Sequence, residues 1–216
     1  MPEIYPLNLI RLKNLRRKGD VMLKKYFSLI QSLTLFEVVT TVVVSVVIGV
    51  SMWGWTLVYD VLKVFIDNTP FNYVTSGFWV IPGLLLPFII RKPGVALLSS
   101  FVAAFIQGLI TQWGLGAVIY GLLQGAGAEI TFALFGFKRF NLFVLSLAGV
   151  ASAFLSYGYD YLKYDYQSLG QGFALLQLMS FMVSTIPLAA LPTIYLTKRL
   201  MKTGLLNQFL VAKENK

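Results

Sequence analysis

Cysteine and histidine are both absent from the 216 residues, and only 12% of the residues are charged. The absence of cysteine excludes disulfides and thiolate chemistry, and the absence of histidine excludes imidazole metal ligands and histidine proton relays. Soluble domains carry about 25% charged residues. The low charged fraction, together with 57% hydrophobic residues, therefore predicts an all-α integral membrane protein.

Five long stretches contain no charged residue: 38–59, 68–90, 93–128, 140–159 and 166–197. About 20 apolar residues span a bilayer as a helix. The third stretch is too long for one span and has a polar break at 111–114. The sequence therefore predicts six transmembrane helices with short connections, at about 36–62, 72–90, 93–111, 115–137, 141–162 and 172–198.

The basic residues are distributed unevenly. All of the 18 except Lys63 and Lys163 fall in the N-terminal arm, the second and fourth connections, or the C-terminal end. The positive-inside rule then places both termini in the cytoplasm, and the net charge of +9 needs no nucleic-acid partner. We expect a basic cytoplasmic arm with an interfacial segment at 1–34, a membrane domain at 35–200 and a cytoplasmic tail at 201–216. Residues 1–21 are a candidate extension.

Glu129 is the only charged residue between Pro93 and Phe137. An acid at membrane depth costs about 2.5–3.5 kcal/mol on insertion scales, so it marks a candidate functional site. The alternative is a buried hydrogen bond that fixes helix packing. Gly121 and Gly125 precede Glu129 at intervals of four residues, which predicts a close-packing helix face.

Aromatic side chains, amides and acids gather at the predicted outer ends of the helices. Such walls suit a flat, polar ring, with or without a positive charge. The alternative is an aromatic belt at the membrane interface, with Asp60 and Asp160 capping helix ends in water. The candidate binding residues are Trp53, Tyr59, Asp60, Trp79, Gln107, Trp113, Gln124, Glu129, Tyr157 and Asp160.

Thr41, Ser45 and Gly49 form a stripe of small residues on the first predicted helix. Small residues let helices approach closely. The stripe is either a docking face for another membrane protein or an ordinary packing face within this chain.

Several strings of the sequence resemble one known family. They are GFWVIPG (77–83), RKPGVALL (91–98), GLLQGAGAEITFALF (121–135), LAGVASAF (147–154) and YGYD (157–160). Together they resemble the YkoE family of S components, the substrate-binding subunits of energy-coupling factor (ECF) transporters. The resemblance implies a six-helix protein of the bacterial plasma membrane. It would bind thiamin or its hydroxymethylpyrimidine precursor (HMP) near the outer face. It would work with a transmembrane coupling subunit and two ATPase subunits.

The resemblance also implies roles for the candidate residues. Trp53, Trp79 and Trp113 are expected to stack on the ligand rings. Glu129 or Gln124 would bond the aminopyrimidine edge, and Asp160 or Asp60 would face the cation. Family members often carry Glu where this chain has Gln107, which would weaken attraction for the thiazolium of thiamin, so both ligands stay open. In the same family, small residues on the first helix serve as a docking face, which Thr41, Ser45 and Gly49 would match.

Two alternatives belong to other functional classes. An intramembrane enzyme could use Asp60 and Asp160 as an acid pair, but the sequence has none of the usual intramembrane protease motifs. A stand-alone carrier for a small aromatic cation needs a polar pathway through the full membrane depth, whereas polarity here is concentrated at the outer ends. The sequence has no nucleotide-binding loop, and it predicts neither a metal nor a cofactor other than the vitamin ligand.

Overall fold

The structure, a computed structural model, describes residues 33–213. The chain divides into two units, Met1–Thr34 and Leu35–Lys216, and the fold below is that of the second. Expectations for the basic arm at 1–32 and for residues 214–216 lie outside the described residues. The helices are α1 Leu35–Ile66, α2 Ile81–Ile90, α3 Val95–Ile110, α4 Gly116–Leu134, α5 Leu142–Lys163, α6 Gln171–Thr185, α7 Leu191–Lys202 and α8 Leu210–Lys213.

Four helical segments in the described part are long and apolar enough to cross a membrane: α1, α4, α5 and the 32-residue segment Gln171–Lys202 that contains α6 and α7. Two further apolar segments, Ser76–Ile90 and Val95–Ile110, are shorter. The second predicted helix begins later than expected, because turns occupy 67–75 and a 3₁₀ helix at Ser76–Val80 precedes α2.

Local sequence sets the ends of these helices. α2 ends at Arg91 in the left-handed conformation (φ 59°), and Gly94 precedes α3 with φ 86°. Glycine adopts that conformation without strain, so the Arg91–Gly94 sequence makes a tight turn. Pro187 lies in a π-helical turn, Ile186–Ala190, which separates α6 from α7. Proline lacks an N–H and cannot complete the α-helical bonding there.

Glycines bring α4 close to both of its neighbours. A Cβ atom added at Gly125 would lie 2.9 Å from the Ala96 carbonyl oxygen of α3. One added at Gly127 would lie 2.6 Å from the Ser152 nitrogen of α5. Any larger residue would push these helices apart, so the predicted close-packing face lies inside the bundle.

The small-residue stripe on α1 is also covered by this chain. Thr41, Ser45 and Gly49 are buried, and a Cβ added at Gly49 would lie 2.7 Å from the Ala103 oxygen of α3. Of the two alternatives for the stripe, this packing supports an ordinary packing face within the chain, and the docking face stays a prediction. The stripe lets α1 approach α3, and a partner cannot contact it in this conformation.

The described part of the expected tail packs against the bundle. α8 contacts α2, and Leu206, Phe209 and Val211 are buried. The Phe209 ring stacks on Phe36 of α1, with ring centroids 5.6 Å apart. Residues up to 212 therefore belong to the folded unit, because their apolar side chains have a surface to cover.

Candidate functional site

A cavity of about 320 Å³ lies at one end of the bundle. The connections 67–75 and 164–170 contribute to its wall, as does Trp113 from the connection between α3 and α4. The 3₁₀ helix Ser76–Val80 and α1, α3, α4, α5 and α6 supply the rest. All three connections join helix ends on the same side, which brings residues distant in sequence into one space. The volume falls within the range of about 300–1,000 Å³ that is typical of small-molecule sites.

Three aromatic side chains form one wall of the cavity. The ring centroids of Trp79 and Trp113 lie 5.3 Å apart, and their planes meet at 82°. Tyr59 contacts both, at 5.7 Å from Trp79 and 5.9 Å from Trp113. Edge-to-face contacts of this kind hold aromatic rings in fixed orientations. The structure thus brings together three predicted residues from α1, the 3₁₀ helix and the connection after α3.

Asp160 forms the acidic side of the cavity. Tyr73 donates a hydrogen bond to its Oδ2 at 2.8 Å, and Tyr120 donates to its Oδ1. The hydroxyls of Tyr73 and Tyr166 lie 3.2 Å apart. This network joins the connections 67–75 and 164–170 to α4 and α5.

The two tyrosines in the connections keep their protons. Burial, followed by the nearby Asp160 carboxylate, raises the pKa of Tyr73 well above its ordinary value. Burial also raises the pKa of Tyr166. Both side chains are therefore neutral hydroxyls at physiological pH, and Tyr73 uses its proton in the bond to Asp160.

Four buried polar atoms around the cavity have no hydrogen-bond partner in the described structure. They are Trp79 Nε1, Ser100 Oγ, Gln107 Nε2 and Ser156 Oγ. A buried donor without a partner costs about 1–3 kcal/mol, so native structures rarely keep four in one place. Two of them can only donate, since an indole N–H and an amide NH₂ have no acceptor.

Neighbouring serines on the same helices are satisfied. Ser99 Oγ donates to the carbonyl oxygens of Pro82 at 2.8 Å and Ala96 at 3.1 Å. Ser152 Oγ donates to those of Gln124 at 2.7 Å and Ala148 at 2.9 Å. On α3 and α5, the serine that lines the cavity therefore lacks the partners that its neighbour has. Elsewhere in the described structure, four buried hydroxyls away from the cavity lining also have no partner: Ser45, Thr75, Thr193 and Thr197. Gln124, another predicted residue, also lines the cavity.

Glu129 lies away from the cavity, near the opposite end of α4. Its carboxylate accepts the N–H groups of Gly94 at 2.6 Å and Ala96 at 3.1 Å. These groups belong to the first turn of α3, where a negative charge is favourable. Glu129 does not line the cavity, and of the two alternatives for this residue the geometry supports the packing role.

Three other candidates do not line the cavity. Trp53 is 46% exposed on α1, and Asp60 accepts a hydrogen bond from Gln112 at 3.2 Å at the surface. The Tyr157 hydroxyl donates to the Ala174 oxygen at 2.8 Å, and its ring meets Tyr73 edge-on at 5.3 Å. Tyr157 therefore supports a cavity residue from behind.

Sequence reasoning missed several lining residues, among them Asp67, Tyr73, Ser100, Ser156, Lys163 and Phe181. Tyr73 sits in a segment predicted as helix, and serines on apolar helices usually bond to their own backbone. Among the described residues, no group of three or more His, Cys, Asp or Glu side chains could hold a metal ion. The site therefore offers aromatic faces, hydroxyls, amides, two carboxylates and one ammonium group.

Comparisons with known proteins agree on the class of protein. A family profile described as "ABC-type cobalt transport system, permease component" matches residues 36–155. The protein YkoE of Bacillus subtilis (strain 168), a candidate HMP/thiamine permease, is 32% identical over 181 residues, which are 83% of this chain and 90% of YkoE. A crystal structure of an S-component of an ECF transporter superposes with a TM-score of 0.79 at 32% identity, covering 85% of this chain and 93% of that one.

Proposed function

Because this chain belongs to the YkoE family of transporter S components, which are not enzymes, we propose that it binds HMP or thiamin in the cavity and presents it for import. The transport would require a transmembrane coupling subunit and two ATPases. The chain itself has no nucleotide-binding loop.

The observation that carries the proposal is the set of unpartnered polar atoms beside an aromatic wall. Trp79 Nε1 and Gln107 Nε2 are donors that need acceptors. A pyrimidine ring presents nitrogen acceptors in its plane and a flat face for stacking. The hydroxyls of Ser100 and Ser156 can donate or accept, which suits the amino and hydroxymethyl groups of the same ring.

Electrostatics keep thiamin among the ligands. Asp67 and Asp160 line the cavity, and a thiazolium cation would gain from both carboxylates. Asp67 belongs to the connection 67–75 and Asp160 to α5, whereas Gln107 on α3 is neutral. The proposed orientation therefore sets the pyrimidine against Trp79 and Gln107 and the charged ring toward the carboxylates.

The cobalt in the description of the family profile does not fit this cavity. Cobalt and related divalent metals favour several imidazole, thiolate or carboxylate ligands in one place. The sequence has no His or Cys, and the described residues hold no group of three such ligands. An organic ring is the ligand that the cavity walls favour.

The proposal includes six membrane spans with both termini in the cytoplasm. In the described bundle, Arg91, Lys92, Lys138 and Arg139 lie in turns at the end opposite the cavity, and α7 carries Lys198, Arg199 and Lys202 toward that end. Only Lys63 and Lys163 of the described basic residues lie at the cavity end. The positive-inside rule then supports a cavity that faces outward.

A binding titration tests the function. The purified full chain would be titrated calorimetrically with thiamin and with HMP. We expect one ligand per chain, and affinity approaching nanomolar, about −12 kcal/mol, is within reach of stacking and desolvated hydrogen bonds. If neither thiamin nor HMP produced binding heat, the proposed function would be refuted.

Liposomes separate a binding subunit from a stand-alone carrier. The chain alone should bind ligand without accumulating it. Concentrative uptake by the chain alone would contradict the need for an ATPase module, since the described membrane helices hold no chain of ionisable groups for proton coupling.

A further inference from the structure

Lys163 ends α5 at the rim of the cavity, and its exposed side chain forms part of the lining. Its ammonium lies over three tyrosine rings, 5.0 Å from the centroid of Tyr164, 5.3 Å from that of Tyr159 and 5.8 Å from that of Tyr120. These distances are within the range of cation–π attraction. The chain therefore fills an aromatic cage with a cation of its own.

The cage and the acid beside it share a residue. Tyr120 offers its ring to Lys163 and its hydroxyl to Asp160. Asp160 also accepts a hydrogen bond from Tyr73. The tyrosine faces that would attract a cationic ligand are thus already occupied by a cation of this chain, beside a carboxylate that accepts hydrogen bonds from two tyrosines.

We propose that Lys163 is a specificity-determining residue of the cavity, one that lowers affinity for a cationic heteroaromatic ring relative to a neutral one. This inference rests on the proposed function. A thiazolium at the rim would have to share the tyrosine faces with the ammonium and would be repelled by it. A neutral pyrimidine at the aromatic wall carries no fixed charge, so the Lys163 ammonium does not repel it in this way.

Charges elsewhere in the lining set the direction of the effect. The charged groups that line the cavity are Lys163, Asp67 and Asp160. Removing the Lys163 charge leaves two acids and three vacant tyrosine faces. Both changes favour a cation, so the substitution should raise affinity for thiamin and leave affinity for HMP nearly unchanged.

The test measures Kd for thiamin and for HMP in the full chain and four variants. Lys163→Gln should lower the ratio of the thiamin Kd to the HMP Kd by about two- to fivefold, because water and salt screen the exposed ammonium. Lys163→Arg keeps the charge and should keep the wild-type ratio. Lys63→Gln is the matched control, because Lys63 also lies at the cavity end, on α1, but does not line the cavity.

The outcomes are distinguishable. If the wild-type chain binds neither ligand, the proposed function fails. If it binds both and the ratio is the same in Lys163→Gln as in wild type, the role of Lys163 is refuted while the function stands. An equal fall in the ratio for Lys63→Gln would also refute it, because the effect would then be general surface charge. Lys163→Met provides a second neutral variant at this exposed position.

Discussion

Ser156→Ala provides a sharp test of the unpartnered atoms. Ser156 Oγ is buried at the cavity without a partner, whereas Ser152, one turn earlier on α5, donates to two carbonyls. Both residues are almost fully buried, at 1% and 0% exposure. The two substitutions remove the same atom from the same helix and differ only in what that atom contacts.

The expected effects have different signs. Ser156→Ala removes a buried hydroxyl that has no partner. The free energy of unfolding of the ligand-free variant should therefore equal or exceed that of the wild type. Its lost bond to the ligand is worth about 0.5–1.5 kcal/mol, or about two- to tenfold in Kd. Ser152→Ala should instead lower the unfolding free energy by about 1 kcal/mol and leave Kd unchanged, because its hydroxyl is already bonded within the protein.

Thermal unfolding of ligand-free protein in detergent, followed by circular dichroism, measures stability, and calorimetric titration measures Kd. The pair Ser100→Ala and Ser99→Ala repeats the comparison on α3, where only Ser99 has partners. A Ser156→Ala variant that loses stability and binds normally would refute the assignment of these atoms to the ligand.

Three further predictions concern residues singled out by the sequence. Glu129→Gln should destabilise the ligand-free protein by about 1–3 kcal/mol at unchanged Kd in the same two assays, because its carboxylate bonds the turn before α3; a loss of affinity alone would contradict this. Gln107→Glu should shift preference from HMP toward thiamin in competition binding, because a carboxylate attracts the thiazolium; an unchanged preference would discard it. Gly49→Leu should lower the yield of folded protein, since a Cβ there meets α3; normal stability with lost coupling to the ATPase module would instead restore the docking role.

Much of the architecture follows from the sequence because membrane depth restricts where charges can lie. Charge-free stretches gave the helical segments, and the polar break at 111–114 separates α3 from α4 as expected. Trp79, Trp113 and Tyr59 were grouped from their positions at helix ends. The number of membrane spans and the side on which the termini lie stay predictions, since the segments Ser76–Ile90 and Val95–Ile110 are short for a span.

The rest depended on tertiary contacts that spacing does not encode. Glu129 is a lone acid in an apolar helix, which is typical of a functional site, yet Gly94 and Ala96 at the start of α3 supply its N–H donors. In the sequence, Ser100 and Ser156 cannot be told from other helical serines, because only the structure shows that their hydroxyls have no partner. The stripe at Thr41, Ser45 and Gly49 predicts close approach correctly, but only the packing identifies α3 as the neighbour.

Native mass spectrometry of the purified full chain tests the central claim most directly. The account predicts that chain incubated with thiamin or HMP gains the mass of one ligand, and that Ser156→Ala retains less of it while Ser152→Ala retains as much as wild type. A chain that stays at its bare mass with both ligands, or that loses the ligand equally in the two variants, would contradict it.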